Sequence, residues 1–379
     1  MTTPLPRELF AVTQSYKYFN HAAVGVLPKP TETALHGFVE AHAKAGVLGT
    51  WPYERDMPAY RAQIAKFIGA QAGEIAVLRN TGDGANAIAA GFPWKDGDEL
   101  VLPDDEFPSN VQPWLPIRKR GVNIRFVETS RGRLTPDVLR AHMTARTRVV
   151  TVSWVSFHDG YRHDVAGLAE VAHEYGALFC VDAIQGLGAF PLDVRACGID
   201  ALYAGGAKWL LALQGVSFLY LRADLLDRIA IASPGWRSTA DMWDFFEYGQ
   251  PFVEDVTRFE GGTPNFIGAL SLAESIAVIE AAGTSRIAAH VVELTDRLVD
   301  GLRRDGADVA GIRSPRESSG IVTFAFPGAD AVVLGKHLQK EAFVTTYRPQ
   351  GIRVAPHGYN TSEEIDALLE AIRAYRKVA

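Results

Sequence analysis

Short unbroken apolar runs alternate along this chain with longer stretches in which apolar residues return every three or four positions. Glu74 to Leu78, Glu99 to Leu102, Val122 to Phe126, Thr147 to Val152, Ala177 to Val181, Asp200 to Ala204 and Val216 to Leu221 have the length of strands, and Ala177 to Val181 the continuity of a buried one. The intervening periodicity predicts helices over Thr31 to Gly46, Met57 to Ile68 (closed by Gly69), Thr135 to Met143 and Asp164 to Tyr175 (closed by Gly176), with a further helical run from Ala87. Strands alternating with helices of about a dozen residues predict an α/β fold: a mostly parallel seven-stranded sheet flanked by helices.

The rhythm breaks over Ala223 to Pro251. This stretch holds Pro234, Trp236, Trp243, Phe245, Phe246 and Tyr248, and reads as an irregular excursion that packs on a cleft or on a partner subunit. Two long helices follow, Ile267 to Ala281 and Ser285 to Arg304, with a domain boundary expected between them. Beyond lie strands at Gly320 to Ala325, Val344 to Tyr347 and Gly351 to Ala355. Helices are expected at Ala329 to Glu341 and Ser362 to Tyr375, the last with Glu363 and Glu364 at its positive end. The expected division is residues 31–283 as a large domain and 284–379 as a small α+β C-terminal domain, with residues 1–30 joining the small one.

Composition narrows this picture. A chain of 379 residues favours two domains. A net charge of −6 gives no reason to expect nucleic acid or an anionic membrane as partner. No uninterrupted apolar run approaches the roughly 18 residues of a membrane helix, and the opening residues carry no apolar core of signal-peptide length. The two cysteines, Cys180 and Cys197, do not make a disulfide framework, so a cytoplasmic location is expected.

Candidate chemistry sits at the ends of two strands. Val181-Asp182-Ala183-Ile184-Gln185 ends a buried strand on an acid, and Ala204-Gly205-Gly206-Ala207-Lys208-Trp209 ends another on small residues and a lysine. Both would open into the crevice where such sheets bind ligands. Pyridoxal phosphate (PLP) uses this pair: an amine to form a Schiff base with its aldehyde, and an acid to keep its pyridine nitrogen protonated. A strand-ending Asp also serves as an N-cap, and a Lys near a turn is commonly solvated, so the pair needs support. Arg79-Asn80-Thr81-Gly82-Asp83-Gly84 joins a strand to a helix, where unpaired N–H groups and the Thr81 hydroxyl suit a phosphate. Phe107 leaves the next strand, placed to stack on a flat ring or to sit in the core. Asn20 and His21 read equally as site contacts or as turn residues.

In this order the pieces resemble the class V aminotransferase family of PLP enzymes, of fold type I, particularly its isopenicillin N epimerase, cysteine desulfurase and kynureninase groups. The resemblance runs through Phe19-Asn20-His21-Ala22-Ala23, Asn80-Thr81-Gly82-Asp83, Glu106-Phe107-Pro108-Ser109-Asn110, the Asp182 and Lys208 motifs, Arg258-Phe259-Glu260-Gly261-Gly262-Thr263-Pro264-Asn265, and Gly351 to Asn360. It implies Lys208 as the Schiff-base lysine and the base at Cα, and Asp182 on the pyridine nitrogen. Gln185 would reach the phenolic oxygen, Phe107 the ring face, and Thr81 and Gly82 the phosphate. Thr263 would reach the phosphate of a neighbouring subunit, implying a homodimer with shared sites. Arg353 would hold the carboxylate of an amino-acid substrate, with Asn20 and His21 on the substrate side. No metal ligand is implied.

Two departures qualify the resemblance. Gly205 and Ala207 stand where the family has a polar residue and a His, and Thr345-Thr346-Tyr347-Arg348 stands where persulfide-carrying desulfurases have a Cys. The expectation is therefore Cα deprotonation leading to carbon–sulfur β-elimination without a persulfide cysteine. Aminotransferase, epimerase and oxidative outcomes remain alternatives, as does a non-catalytic PLP-fold binding protein. A dinucleotide enzyme would need a Gly-x-Gly-x-x-Gly turn after its first strand, and there is none.

Overall fold

The first described residues form a strap with two short 3-10 turns, Arg7–Leu9 and Ala11–Gln14. Leu5, Phe10 and Phe19 are fully buried along it, each burial contributing about 1.5–3 kcal/mol, and strand β1 (Lys17–Tyr18) lies within it. Three helices follow: α1 (Lys29–Ala45), α2 (Val47–Arg55) and α3 (Met57–Ile68). Helix α2 has no counterpart among the predicted elements. It carries Pro52 in its interior and leaves Val47, Leu48 and Trp51 exposed, so it shows no inward apolar stripe. The computed structural model describes residues 3–129, 133–311 and 313–377; residues 1–2 and 378–379, the ends of the expected outer units, lie outside them.

The large sheet follows the apolar runs. In chain order its elements are β2 (Ile75–Leu78), α4 (Thr81–Gly91), β3 (Glu99–Pro103), β4 (Asn123–Val127), α5 (Pro136–His142), β5 (Thr147–Ser153), α6 (Val165–Glu174), β6 (Leu178–Asp182), β7 (Ala201–Gly205) and β8 (Ser217–Leu221). The strand order is β2-β8-β7-β6-β5-β3-β4. Successive residues of one strand enter opposite cores: Phe179 and Val181 join one cluster, Leu178 and Cys180 the other. That two-sided burial makes the runs continuous rather than alternating.

The sheet is mixed because of one strand. β8 runs antiparallel to both β2 and β7. The connection from Gly205 to Ser217 contains no helix to carry a parallel crossover, so the chain returns as a hairpin. Lys208 lies in that hairpin. Helix α4 also starts earlier than its apolar spacing suggested. Asn80 caps it, its side chain accepting the Asp83 N–H at 3.0 Å, so Thr81, Gly82 and Asp83 form the first helical turn rather than a loop.

Helices α7 (Phe266–Ala282) and α8 (Thr284–Arg304) meet at Gly283, and α7 packs on α1 and α3. No single helix among the described residues is long and apolar enough to cross a membrane. The remaining elements are β9 (Asp308–Val309), β10 (Val322–Ala325), α9 (Ala331–Lys340), β11 (Phe343–Val344), β12 (Thr346–Arg348), β13 (Gly351–Val354) and α10 (Ser362–Arg376). A four-stranded antiparallel sheet runs β12-β13-β10-β9. The single strand expected over Val344 to Tyr347 is two: β11 pairs with β1 of the strap, and the chain turns at Thr345 into β12. Phe19 of the strap shares a core with α8, α9 and α10.

Candidate active site

The lysine hairpin is braced from several sides. The Leu211 N–H donates to the Lys208 carbonyl at 3.1 Å, and Leu211 itself holds a left-handed φ of 57°. The Gly25 N–H of the strap donates to the Ala207 carbonyl at 2.7 Å. Trp209, fully buried, donates its Nε1–H to Gln185 Oε1 at 2.9 Å, and its carbonyl lies 3.0 Å from His357 Nε2. So fixed, the Lys208 amine lies 5.4 Å from the centroid of the Phe107 ring. Burial lowers its pKa to about 8; the Arg353 charge acts in the same direction and the Asp182 carboxylate opposes both.

Asp182 ends β6 opposite Ser153 of β5 and Tyr203 of β7. Its Oδ1 accepts the Ile184 N–H at 3.0 Å, while Oδ2 is buried without a partner. Burial pushes the carboxyl up to about 6. An orphaned buried carboxylate oxygen is costly unless a ligand completes it, and a protonated pyridine nitrogen is such a ligand. The first turn of α4 supplies the other end. Thr81 is buried there, and the N–H groups of Thr81 and Gly82 have no intrahelical acceptor. Gly84 lets the helix approach β7, for a Cβ would lie 2.5 Å from Tyr203 Cβ. Gly205 has a similar reason. A Cβ there would lie 3.1 Å from Thr81 Oγ1 and 3.0 Å from Ile184 Cδ1, so Thr81 already fills the space of the side chain absent at Gly205.

The other side of the crevice is built from the small sheet and the strap. Arg353 of β13 faces Thr323 of β10 and Thr346 of β12 in register. Its Nη1–H donates to the Phe157 carbonyl at 2.8 Å, and its Nε is buried without a partner. Burial lowers its pKa to about 10, with the Arg348 charge adding to the effect. Thr346 Oγ1 donates to Asn20 Oδ1 at 2.6 Å, which brings Asn20 to this corner. Phe157 stands edge-on to Phe107, ring centroids 5.1 Å apart.

Lys208, Asp182, Phe107, Thr81 and Arg353 thus converge, and their donors, orphaned oxygen and apolar plate fit PLP. His21 is committed away from the site, whereas Gln185 and Thr263 keep room for their expected contacts. His21 is fully buried, its Nδ1 2.8 Å from the Ala355 carbonyl and its Nε2 2.9 Å from the Tyr359 hydroxyl, so both nitrogens serve the wall behind Trp209 rather than a substrate. Burial holds it well below the usual histidine range. Gln185 is committed at both ends, its Nε2–H donating to the Ala22 carbonyl at 3.0 Å, which leaves one N–H for a ring oxygen. Thr263 is exposed in a groove with Arg79, Asp83 and Asn86. Sequence reasoning gave no role to Glu106, Ser153, Phe157 or Thr346. Glu106 and Thr346 lie inside runs that it marked, but nothing local says that these side chains pack against the site, and only Ser153 is buried.

Comparison with known proteins agrees with this geometry. The family model described as Aminotransferase class-V matches residues 18–368. A probable cysteine desulfurase of Methanothermobacter thermautotrophicus is 30% identical over 396 residues, spanning 98% of this chain and 98% of the relative. The apo structure of a cysteine desulfurase from Thermococcus onnurineus NA1 superposes with a TM-score of 0.90 at 27% identity, covering 99% of each chain. A cystine C–S lyase solved with its product cysteine persulfide shares the fold, with a TM-score of 0.88 at 22% identity over 96% of this chain and 98% of the other. The family match over nearly the whole length agrees with a lysine, a strand-end acid and a helix start meeting in one crevice, and the chain belongs to the class V aminotransferase family of PLP-dependent enzymes.

Proposed function

We propose that the protein is a carbon–sulfur lyase acting on a cysteine-like amino acid by β-elimination, without a persulfide carried on its own cysteine. The observation that carries this reading is where its two thiols lie. Cys180 is sealed in β6, its thiol pushed well above the usual range by burial. Cys197 lines a separate groove with Trp154, His163 and Leu192, its thiol also raised by burial. Neither favours a thiolate, while Thr345 and Thr346 occupy the turn beside Arg353. The relatives named as cysteine desulfurases support the substrate class.

Bound PLP supplies the electron sink for a carbanion at Cα. The chain's own groups do the rest. Arg353 takes the substrate carboxylate with the part of its guanidinium fork not given to Phe157. That grip sets which Cα substituent faces Lys208. The Lys208 amine, partly neutral at neutral pH, accepts the Cα proton. Phe107 and Phe157 wall off water on the opposite side. Departure of the sulfur substituent from Cβ with its electron pair completes the elimination.

Incubation of the cofactor-loaded protein with cysteine, cystine and other β-substituted amino acids is expected to release a sulfur species together with pyruvate. Arg353→Lys, which keeps charge but loses the fork, is expected to raise KM about tenfold or more. A keto acid matching the intact substrate, or its enantiomer, in place of pyruvate would remove the lyase reading. Retained activity after Cys180→Ala and Cys197→Ala is the corresponding result for the absent relay.

We infer as well that the site is completed in a homodimer in a reducing cytosol. Trp243, Phe246 and Tyr248 are 60%, 85% and 90% exposed on the excursion after β8, a larger apolar surface than a solitary chain ordinarily leaves open. Thr263 stands exposed where a neighbour's phosphate would meet it. Sedimentation equilibrium is expected to give twice the chain mass; a monomer at micromolar concentration would refute the shared site.

A further inference from the structure

The side chain of the residue just before the stacking phenylalanine is tied directly to the sheet. Glu106 Oε2 accepts the Ser153 Oγ–H at 2.6 Å and the N–H of Phe107 itself at 3.2 Å, and its Oε1 accepts the Ser153 N–H. Ser153 ends β5 in register with Asp182, and the next residue, Trp154, donates its N–H to the Asp182 carbonyl at 2.8 Å. A second tie runs parallel to the first. Asn110 of the same loop accepts from Thr151 Oγ1 at 2.8 Å and from the Tyr203 hydroxyl, and Tyr203 packs against Gly84 at the start of α4. The loop that presents Phe107 is therefore joined to the strand beside Asp182 and, through Tyr203, to the phosphate-binding turn.

We propose that Glu106 is a positioning residue for the cofactor: through Ser153 it fixes Phe107 at a set height above the ring and makes the stacking face and the Asp182 anion one rigid unit. The inference rests on PLP lying between Phe107 and the Lys208–Asp182 pair. The state of the carboxyl is consistent with the role. Its carboxyl group is enclosed, and burial pushes its pKa up to about 7; the Ser153 bonds oppose this and nearby Asp182 adds to it. Two adjacent carboxyls do not both ionise easily, so the pair titrates as a unit. When Glu106 holds the proton it donates its own O–H to Ser153 Oγ, and the clamp persists. Glutamine mimics that neutral form, whereas alanine removes the clamp.

The test uses Glu106→Ala, Glu106→Gln and Ser153→Ala in the full-length protein. Amide hydrogen exchange is followed in the cofactor-free form, and visible circular dichroism per bound cofactor in the loaded form. Glu106→Ala is expected to speed exchange at Ser153 and Phe107 about tenfold, to at least halve the visible dichroism at equal loading and unchanged Tm, and to weaken cofactor retention about tenfold. Glu106→Gln is expected to restore most of each signal, and Ser153→Ala to move them the same way as alanine, by less. A folded, fully loaded Glu106→Ala protein with wild-type dichroism and wild-type exchange would overturn the proposal. Should Glu106→Ala fail to fold, unchanged dichroism and exchange in Ser153→Ala overturns it instead. A wild-type protein without a visible cofactor band would sink the cofactor reading itself, while exchange in the cofactor-free protein would still report on the clamp.

Discussion

Replacing Lys208 by alanine is expected to abolish the visible absorbance band of the loaded protein and to lower turnover by about a thousandfold or more, since a positioned general base alone contributes about 10²–10⁴. The amine is suited to both tasks by its surroundings. Burial and Arg353 bring its pKa to about 8. Near pH 7.5 roughly a quarter of it is neutral, against about one in a thousand for an unperturbed lysine. The neutral amine would be both the nucleophile and the base. Capture of added PLP by the cofactor-free protein is therefore expected to quicken as pH rises toward about 8 and to level off above it. Stopped-flow absorbance across pH 6–10 measures this. Lys208→Arg, permanently charged, is not expected to rescue either signal. A band and turnover that survive Lys208→Ala would show that another amine does the work.

How far this could be read without coordinates depended on whether the deciding contact was local. Most strands of the large sheet were legible because burial on both faces leaves continuous apolar runs, as in Leu178 to Val181, while β4 at the edge mixes polar and apolar residues and leaves Phe126 exposed. The direction of β8 was not, since an apolar run is the same in either sense and only the helix-free connection from Gly205 to Ser217 decides it. The α4 turn was half legible. Glycines at 82 and 84 looked like a loop, yet the Asn80 cap makes them helical, and this is what aims their N–H groups together. Lys208, Asp182, Phe107 and Thr81 announced themselves as strand or helix ends. His21 did not reveal its burial, because its partners Ala355 and Tyr359 lie more than 330 residues away in the chain. Glu106 stayed silent for the same reason: a glutamate whose partner is on another strand reads as a solvated charge.

Asp182→Asn is expected to move activity and stability in opposite directions. Asparagine keeps an oxygen for the Ile184 N–H but cannot hold a pyridine nitrogen protonated, so the electron sink is lost and turnover should fall about a hundredfold to a thousandfold. The cofactor-free protein should behave otherwise. Burial raises the Asp182 pKa from 3.8 to about 6. A carboxyl raised on folding contributes stability below its unfolded value, and that contribution is lost as pH rises through the folded one. At pH 8 the wild-type chain therefore carries an ionised, half-unpaired carboxylate at a cost of up to about 3 kcal/mol. The amide variant escapes this cost, so it should unfold at equal or higher denaturant concentration at pH 8, with the difference from wild type shrinking toward pH 4. Groups not coupled to Asp182, such as the buried His21 and His357, cancel in that difference, whereas Lys208 loses a counter-charge and Glu106 loses a like charge, two effects of opposite sign. Bound PLP is expected to reverse the order, because Asp182 would pair its unpartnered Oδ2 with the protonated ring nitrogen and the amide of the variant would not. Denaturant titrations at pH 8 and pH 4, with and without cofactor, read all four corners. Wild-type turnover in Asp182→Asn would remove this acid from the chemistry, and a pH-independent stability difference would remove the buried charge from the fold.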